Sequence, residues 1–252
     1  MSAMYPDLAN RSVLVTGGGS GIGAAITSAF AAQHARVSFI DIQRPPSLAL
    51  VAALAAKDHH ANFIEADLTD IGQLRAAINK VRALQGPISV LVNNAAQDDR
   101  HSTEDVTPEY FDQRIAVNLK HSFFASQAVL PDMKTAGNGA IINFSSISWI
   151  TGAGGMAVYT AAKSAMIGLT RSLARDYGQY GVRVNAVAPG WIRTERQVLK
   201  WITPEAEQRL MEAQCLKRWL LPEDVARFVV FLASEEAAAC TAQHYIVDGG
   251  RT

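Results

Sequence analysis

Cysteine is scarce. Cys215 and Cys240 are the only two in 252 residues, too few for a disulfide framework in a chain this long and no ligand set for a structural zinc. A reducing, cytoplasmic setting fits that usage. An excess of charge of either sign is also missing: 23 Lys+Arg balance 23 Asp+Glu, so no global field draws nucleic acid or anionic lipid, and neither is expected as a partner. No run approaches the roughly 18 apolar residues of a membrane span. The opening MSAMYPDLANR has no basic region followed by an apolar one, so no export signal is expected. No Pro/Gly/Ser-rich linker, low-complexity tract or repeat interrupts the chain, which predicts one domain over 1–252. No cluster of His, Cys, Asp and Glu suggests a metal site.

What is present is a strongly apolar chain, 49% hydrophobic, with elements that alternate. Strands are expected at Ser12–Thr16, Arg36–Asp41, Asn62–Glu65, Ile88–Asn93, Ala140–Phe144 and Val182–Val187. Helices are expected at Ile22–Gln33, Leu48–Ala56, Ile71–Leu84, Pro108–Lys134, Ala157–Tyr180 and Pro222–Ala233. The segments ISVLV and AIINF have no polar face, so helices should cover both sides of a parallel sheet. The fold class is therefore α/β, doubly wound. After Pro189-Gly190 the charged helical stretch through Lys217 reads as a lid over the carboxyl edge of the sheet, at about 190–217.

Gly17, Gly21 and Gly23 fall between a strand and a helix, where missing β-carbons let backbone N–H groups approach a pyrophosphate. Asp41 ends the second strand, where a carboxylate accepts ribose hydroxyls and repels a 2′-phosphate, which favours NAD over NADP. Arg44, before Pro45-Pro46, reads as solvated. Asp67 either meets the adenine amino group or caps the helix from Ile71. Tyr159 and Lys163 stand four apart on one helical face, where an ammonium stabilises a phenolate and lowers the phenol pKa. Ser146, thirteen residues earlier, is placed to bond the same reacting oxygen. Asn118 alone reads as a solvated or packing amide.

Together, TGGGSGIG at 16–23, NNAA at 93–96, Asn118 in VNLK, Ser146, Tyr159 with Lys163, and Pro189-Gly190 resemble the short-chain dehydrogenase/reductase family in order and spacing over nearly the whole chain. The resemblance implies a Rossmann-type sheet of seven parallel strands. It implies Tyr159 as general base, Ser146 as holder of the substrate oxygen, Lys163 on the nicotinamide ribose, and Asn118 holding a water of the proton relay. It assigns Gly17, Ser20, Gly21, Ile22, Gly23, Asp41, Asp67, Leu68, Asn93, Ala95, Tyr159, Lys163, Pro189, Gly190, Ile192 and Thr194 to the cofactor. It also implies a homotetramer or homodimer built on helices 108–134 and 157–180. Where the family usually carries Gly this chain has Ala96, which should displace the loop if that position needs a positive φ.

The segments QDDRH at 97–101, INFSSISW at 142–149, TPEAE at 203–207 and AQCLK at 213–217 resemble bacterial NAD-dependent aldose 1-dehydrogenases. They imply oxidation of a free sugar at C1 to an aldonolactone, the sugar being D-xylose, L-arabinose, D-galactose, L-fucose or a 6-modified hexose. Ser146, Tyr159, Trp149, Trp191, Arg193, Asp98 and His101 are then the expected substrate residues, with Trp149 stacked on a sugar face. Arg193 and Arg196 otherwise pair within the lid, with Glu195 and its neighbours. The alternative activity is 3-oxoacyl thioester reduction on an acyl carrier protein.

Overall fold

In the computed structural model, which describes residues 3–252, seven strands form one parallel sheet in the order β3-β2-β1-β4-β5-β6-β7. The strands are β1 Ser12–Thr16, β2 Arg36–Asp41, β3 Ala61–Glu65, β4 Val90–Asn93, β5 Gly139–Phe144, β6 Val182–Pro189 and β7 His244–Val247. The helices are α1 Gly21–Ala31, α2 Arg44–Ala55, α3 Ile71–Gln85, α4 Pro108–Ile115, α5 His121–Ala136, α6 Ala157–Tyr177, α7 Glu195–Lys200, α8 Pro204–Ala213 and α9 Pro222–Ala233. The first two residues of the expected 1–252 domain lie outside the described chain.

The apolar strands follow from their surroundings. Val13 and Val15 of β1, with Val90 and Val92 of β4, point into one layer shared with Ile26, Phe30, Val225 and Val229 of α1 and α9. Leu14 and Leu91, one residue out of step, enter the opposite layer with Ile78, Val129 and Met133 of α3 and α5. Both faces are dry, and each fully buried side chain of this size contributes about 1.5–3 kcal/mol. Among the described residues no helix is long and apolar enough to cross a membrane.

Several expectations change. α2 starts at Arg44, not Leu48, because Pro45-Pro46 occupies its first turn, where a missing N–H costs nothing. Arg44 pairs with Glu65 at 2.6 Å across an exposed surface. Asp70, not Asp67, caps α3, accepting from Gly72 N and Gln73 N. The single helix expected over 108–134 is interrupted by a π-turn at Ala116–Lys120. β7 gave no periodic signal because it is a short, half-exposed edge strand. The strand order reverses on either side of β1, so β2 and β4 diverge there and open a crevice at the carboxyl ends.

Candidate active site

The crevice is built first from the glycine turn between β1 and α1. Gly17 has φ +64°, and a β-carbon there would lie 2.7 Å from Ala95 Cα. At Gly23 a β-carbon would lie 1.8 Å from Gly17 O. The loop after β4 holds this turn in place: Asn94 Nδ2 donates to Thr16 O (3.1 Å) and Gly17 O (2.9 Å), and Thr16 Oγ1 accepts from Asn94 N and Ala95 N. Ser20 precedes α1 and its hydroxyl caps nothing, so the first-turn amides of an eleven-residue helix are free for an anion. Ala96 is exposed and is not among the residues with positive φ, so the usual glycine is not needed for this backbone.

Asp41, 5% exposed at the end of β2, accepts from Gly19 N and Gln43 N, each at 2.9 Å. Its carboxylate is thereby fixed beside the glycine turn. Asp67 Oδ1 accepts from Thr69 N and Oγ1, while Leu68 is buried in the α3 layer. Asn93 turns its amide inward, donating to Asn143 Oδ1 at 2.8 Å. Gly190 N donates to Val247 O, Ile192 is buried, and Thr194 caps α7 with its side chain against Gly21.

Ser146, Tyr159 and Lys163 meet where β5 ends. Ser146 is extended and its Oγ accepts from Ser148 N at 3.1 Å while facing the Tyr159 hydroxyl. Lys163 is buried, donates to Phe144 O at 2.9 Å and lies 5.8 Å from the Tyr159 ring centre. Burial pushes Tyr159 up to about 12 and Asp98 adds to this; the Ser146 hydrogen bond and Arg100 oppose it. Burial pulls Lys163 down to about 7, against Asp98. The opposing groups are Ser146 and Arg100, and Lys163 is not one of them, so desolvation rather than the ammonium sets the direction of the phenol here. Asn118 is fully buried, not solvated: its Oδ1 accepts from Gln97 N (2.9 Å), and its Nδ2 donates to Gln97 O (3.1 Å) and Arg114 O (2.9 Å). It ties the π-turn to the loop after β4.

The expected substrate residues divide. Asp98 is held from α7, with Oδ1 accepting from Arg196 Nε (3.2 Å) and Oδ2 from Gln197 Nε2 (2.7 Å). Trp191 donates to Gln197 Oε1 at 2.7 Å and meets Trp219 edge-on at 5.7 Å. Arg193 is exposed, its guanidinium 5.9 Å from the Trp219 ring centre. Trp149 does not join them. Its indole donates to Ser145 Oγ and packs on His244, beside Ala157, Thr160, Ala161 and Ser164, the side of α6 opposite Tyr159. Both His101 nitrogens serve the fold, Nε2 accepting from Val158 N (3.3 Å) and Nδ1 meeting Tyr110 Oη (3.1 Å). Arg196 pairs with Asp98 and Asp99, not with Glu195. Sequence reasoning did not anticipate Gln197 and Arg114 as partners of Asp98 and Asp99, because these contacts join segments separated in the chain.

A family model described as enoyl-(acyl carrier protein) reductase matches residues 17–252. "Probable galactose dehydrogenase" of Rhizobium meliloti is 50% identical over 250 residues, 99% of this chain and 98% of that one. The D-xylose 1-dehydrogenase of Caulobacter vibrioides is 47% identical over 249 residues, with 99% and 98% covered. A doubly substituted Serratia marcescens short-chain dehydrogenase/reductase superposes with TM-score 0.90 at 33% identity, covering 97% of this chain and 99% of that one. The chain belongs to the short-chain dehydrogenase/reductase family. It is an oxidoreductase of a family that binds a nicotinamide cofactor. The glycine turn, where a β-carbon at Gly17 or Gly23 has no room, the free α1 amides and the anchored Asp41 fit such a group.

Proposed function

We propose that the protein oxidises C1 of a free cyclic aldose, a pentose, hexose or deoxy sugar, with NAD, leaving an aldonolactone. The observation that carries this is the Ser146, Tyr159 and Lys163 group at the carboxyl edge of the sheet, in a chain whose full-length relatives are named for galactose and xylose. Tyr159 Oη takes the proton of the anomeric hydroxyl, the C1–H bond breaks with its electron pair leaving as hydride, and C1–O1 becomes the lactone carbonyl. Ser146 Oγ holds that oxygen. The bound nicotinamide supplies the hydride acceptor and, oxidised, a positive charge that favours a phenolate nearby. Lys163 would hold the ribose beside it. Asn118 fixes the π-turn, where a relay water would sit. Gly17, Ser20, Gly21, Ile22 and Gly23 would cradle the pyrophosphate, and Asp41 the adenosine ribose hydroxyls, which favours NAD over NADP. Asp67, Leu68, Asn93, Ala95, Pro189, Gly190, Ile192 and Thr194 would complete the cofactor cleft.

Trp191 supplies a flat wall at the end of β6, and Asp98 the polar side of the sugar pocket. The test is the product: incubation with NAD and D-galactose or D-xylose should yield the aldonolactone by nuclear magnetic resonance, with NADP several-fold poorer. Silence with aldoses and turnover of a 3-hydroxyacyl thioester would overturn the reading. A homodimer or homotetramer is part of the proposal. An apolar groove of about 410 Å³ runs between Ile115 at the end of α4, Leu119 of the π-turn, Phe123 and Phe124 of α5 and Leu169 of α6, a surface suited to a second copy. A monomeric mass in sedimentation would contradict it.

A further inference from the structure

Between the loop after β4 and the segment after β6, one side chain reaches both. Gln197, in the first turn of α7, donates through Nε2 to Asp98 Oδ2 at 2.7 Å and accepts through Oε1 from Trp191 Nε1 at 2.7 Å. β4, β5 and β6 are neighbours in that order, and Ser145 N donates to Val187 O at 2.8 Å, so β5 and β6 leave the sheet side by side. The faces of the sheet are filled by helices. The Asp98–Gln197–Trp191 chain therefore spans the exit of β5, where Ser146 stands.

This chain has one workable direction. A carboxylate only accepts hydrogen bonds and an indole N–H only donates. The Gln197 amide satisfies both with Nε2 toward Asp98 and Oε1 toward Trp191; turned over, it would set oxygen against oxygen and N–H against N–H. Asp98 is itself held at Oδ1 by Arg196 Nε (3.2 Å). The Trp191 ring is thus fixed twice, by the bond at Nε1 and by its edge-on contact with Trp219, 5.7 Å away at 76°. Trp191 is half-buried, so part of the fixed ring stays open.

We propose that Gln197 is a specificity-determining positioning residue: it holds the Trp191 indole as a flat wall for the apolar C–H face of a cyclic aldose, and Trp191 makes the contact. The inference rests on the aldose reading and deepens it. A wall whose plane is set before the sugar arrives spares the binding step the cost of freezing a free indole. Gln197 need not touch the sugar to do this. An acyclic alcohol or a thioester chain offers no such face, so the device favours a closed ring. The loss on removing it falls on binding and not on hydride transfer. The Gln197 backbone amide donates to Thr194 Oγ1 at 3.3 Å, so the start of α7 does not depend on the side chain.

The test compares Gln197→Met, Trp191→Phe and the double variant of the full-length enzyme on free aldopentoses and aldohexoses with saturating NAD. Met keeps the length of the stem but carries no N–H and only a weak acceptor. Gln197→Met should raise the KM for the aldose about three- to tenfold, the worth of one aromatic stack, with kcat within about twofold. The double variant should match Trp191→Phe alone, because without the indole there is nothing for Gln197 to orient. A second readout is independent of turnover. The Trp191 Nε1 proton, identified among the four tryptophans by its loss in Trp191→Phe, should exchange with solvent at least ~tenfold faster in Gln197→Met. Additive KM effects in the double variant, a fall in kcat at unchanged KM, or an indole proton equally protected in Gln197→Met would overturn the proposal. Wild-type silence on every aldose would instead overturn the reading beneath it, and with it the sugar as the ligand of the wall, while the indole exchange still judges whether Gln197 holds Trp191.

Discussion

Replacing Lys163 with Met should stabilise the protein while abolishing its activity. Burial pulls the Lys163 ammonium from its ordinary 10.5 to about 7, so below neutral pH the folded chain carries a charge it holds poorly. That difference corresponds to about 5 kcal/mol. Removing the amine also leaves Phe144 O, 2.9 Å away, without its donor, at a cost of about 1–3 kcal/mol. Met matches the stem in volume, so the net gain at pH 6.5 is roughly 2–4 kcal/mol, or about 5–10 °C in Tm for a chain this size. The sign changes with pH in a defined way. Between about 7 and 10.5 the unfolded lysine still binds a proton that the folded one has released, so wild-type stability rises with pH over that window. The advantage of Lys163→Met should therefore be about 3 kcal/mol smaller at pH 9.5 than at 6.5. Calorimetry at fixed subunit concentration at the two pH values reads both quantities. A variant that is less stable than wild type at pH 6.5, with a gap independent of pH, would refute the desolvation argument.

Two further outcomes follow from the same geometry. Because burial and Asp98 push Tyr159 of the unliganded chain up to about 12, kcat/KM for NAD, which reports the free enzyme, should climb through pH 10 at close to tenfold per unit where proton removal limits, and a plateau below pH 8 would contradict that environment. Gly23→Ala would place a β-carbon 1.8 Å from Gly17 O; thermal melts should show a loss of about 2–4 kcal/mol, and fluorescence titration an NADH affinity at least tenfold weaker.

The parts of this molecule that were readable in advance are those whose cause is local. β4 and β5 announced themselves because they are apolar on both faces, and the glycine turn because Gly17 and Gly23 leave no room for a β-carbon. Tyr159 and Lys163 were visible as one helical turn. The start of α2 was lost because Pro45-Pro46 signals a break as readily as a first turn. The π-turn at Ala116–Lys120 leaves the apolar pattern of the helix nearly intact, so the pattern alone did not decide whether Asn118 was a solvated or a packing amide. It is buried because Gln97, in a loop 21 residues away, presents both an amide and a carbonyl to it. The bridges of Arg196 to Asp98 and Asp99 join residues 98 and 97 positions apart, a pairing no local rule contains, and Glu195 next door was the more obvious partner. Trp149 was assigned to the sugar by proximity to Ser146, whereas the short helical turn after Ser146 swings its indole onto His244.

The central claim is that Tyr159 removes the proton from a sugar hydroxyl during NAD-linked oxidation. Its most direct measurement is NADH formation by wild type and Tyr159→Phe across free pentoses, hexoses and deoxy sugars, with NADH binding measured on both proteins. The account predicts wild-type turnover on at least one neutral aldose and at least a ~100-fold loss in Tyr159→Phe with NADH affinity unchanged. Equal turnover by the two proteins, or silence on every sugar from a wild-type enzyme that binds NADH tightly, would contradict it.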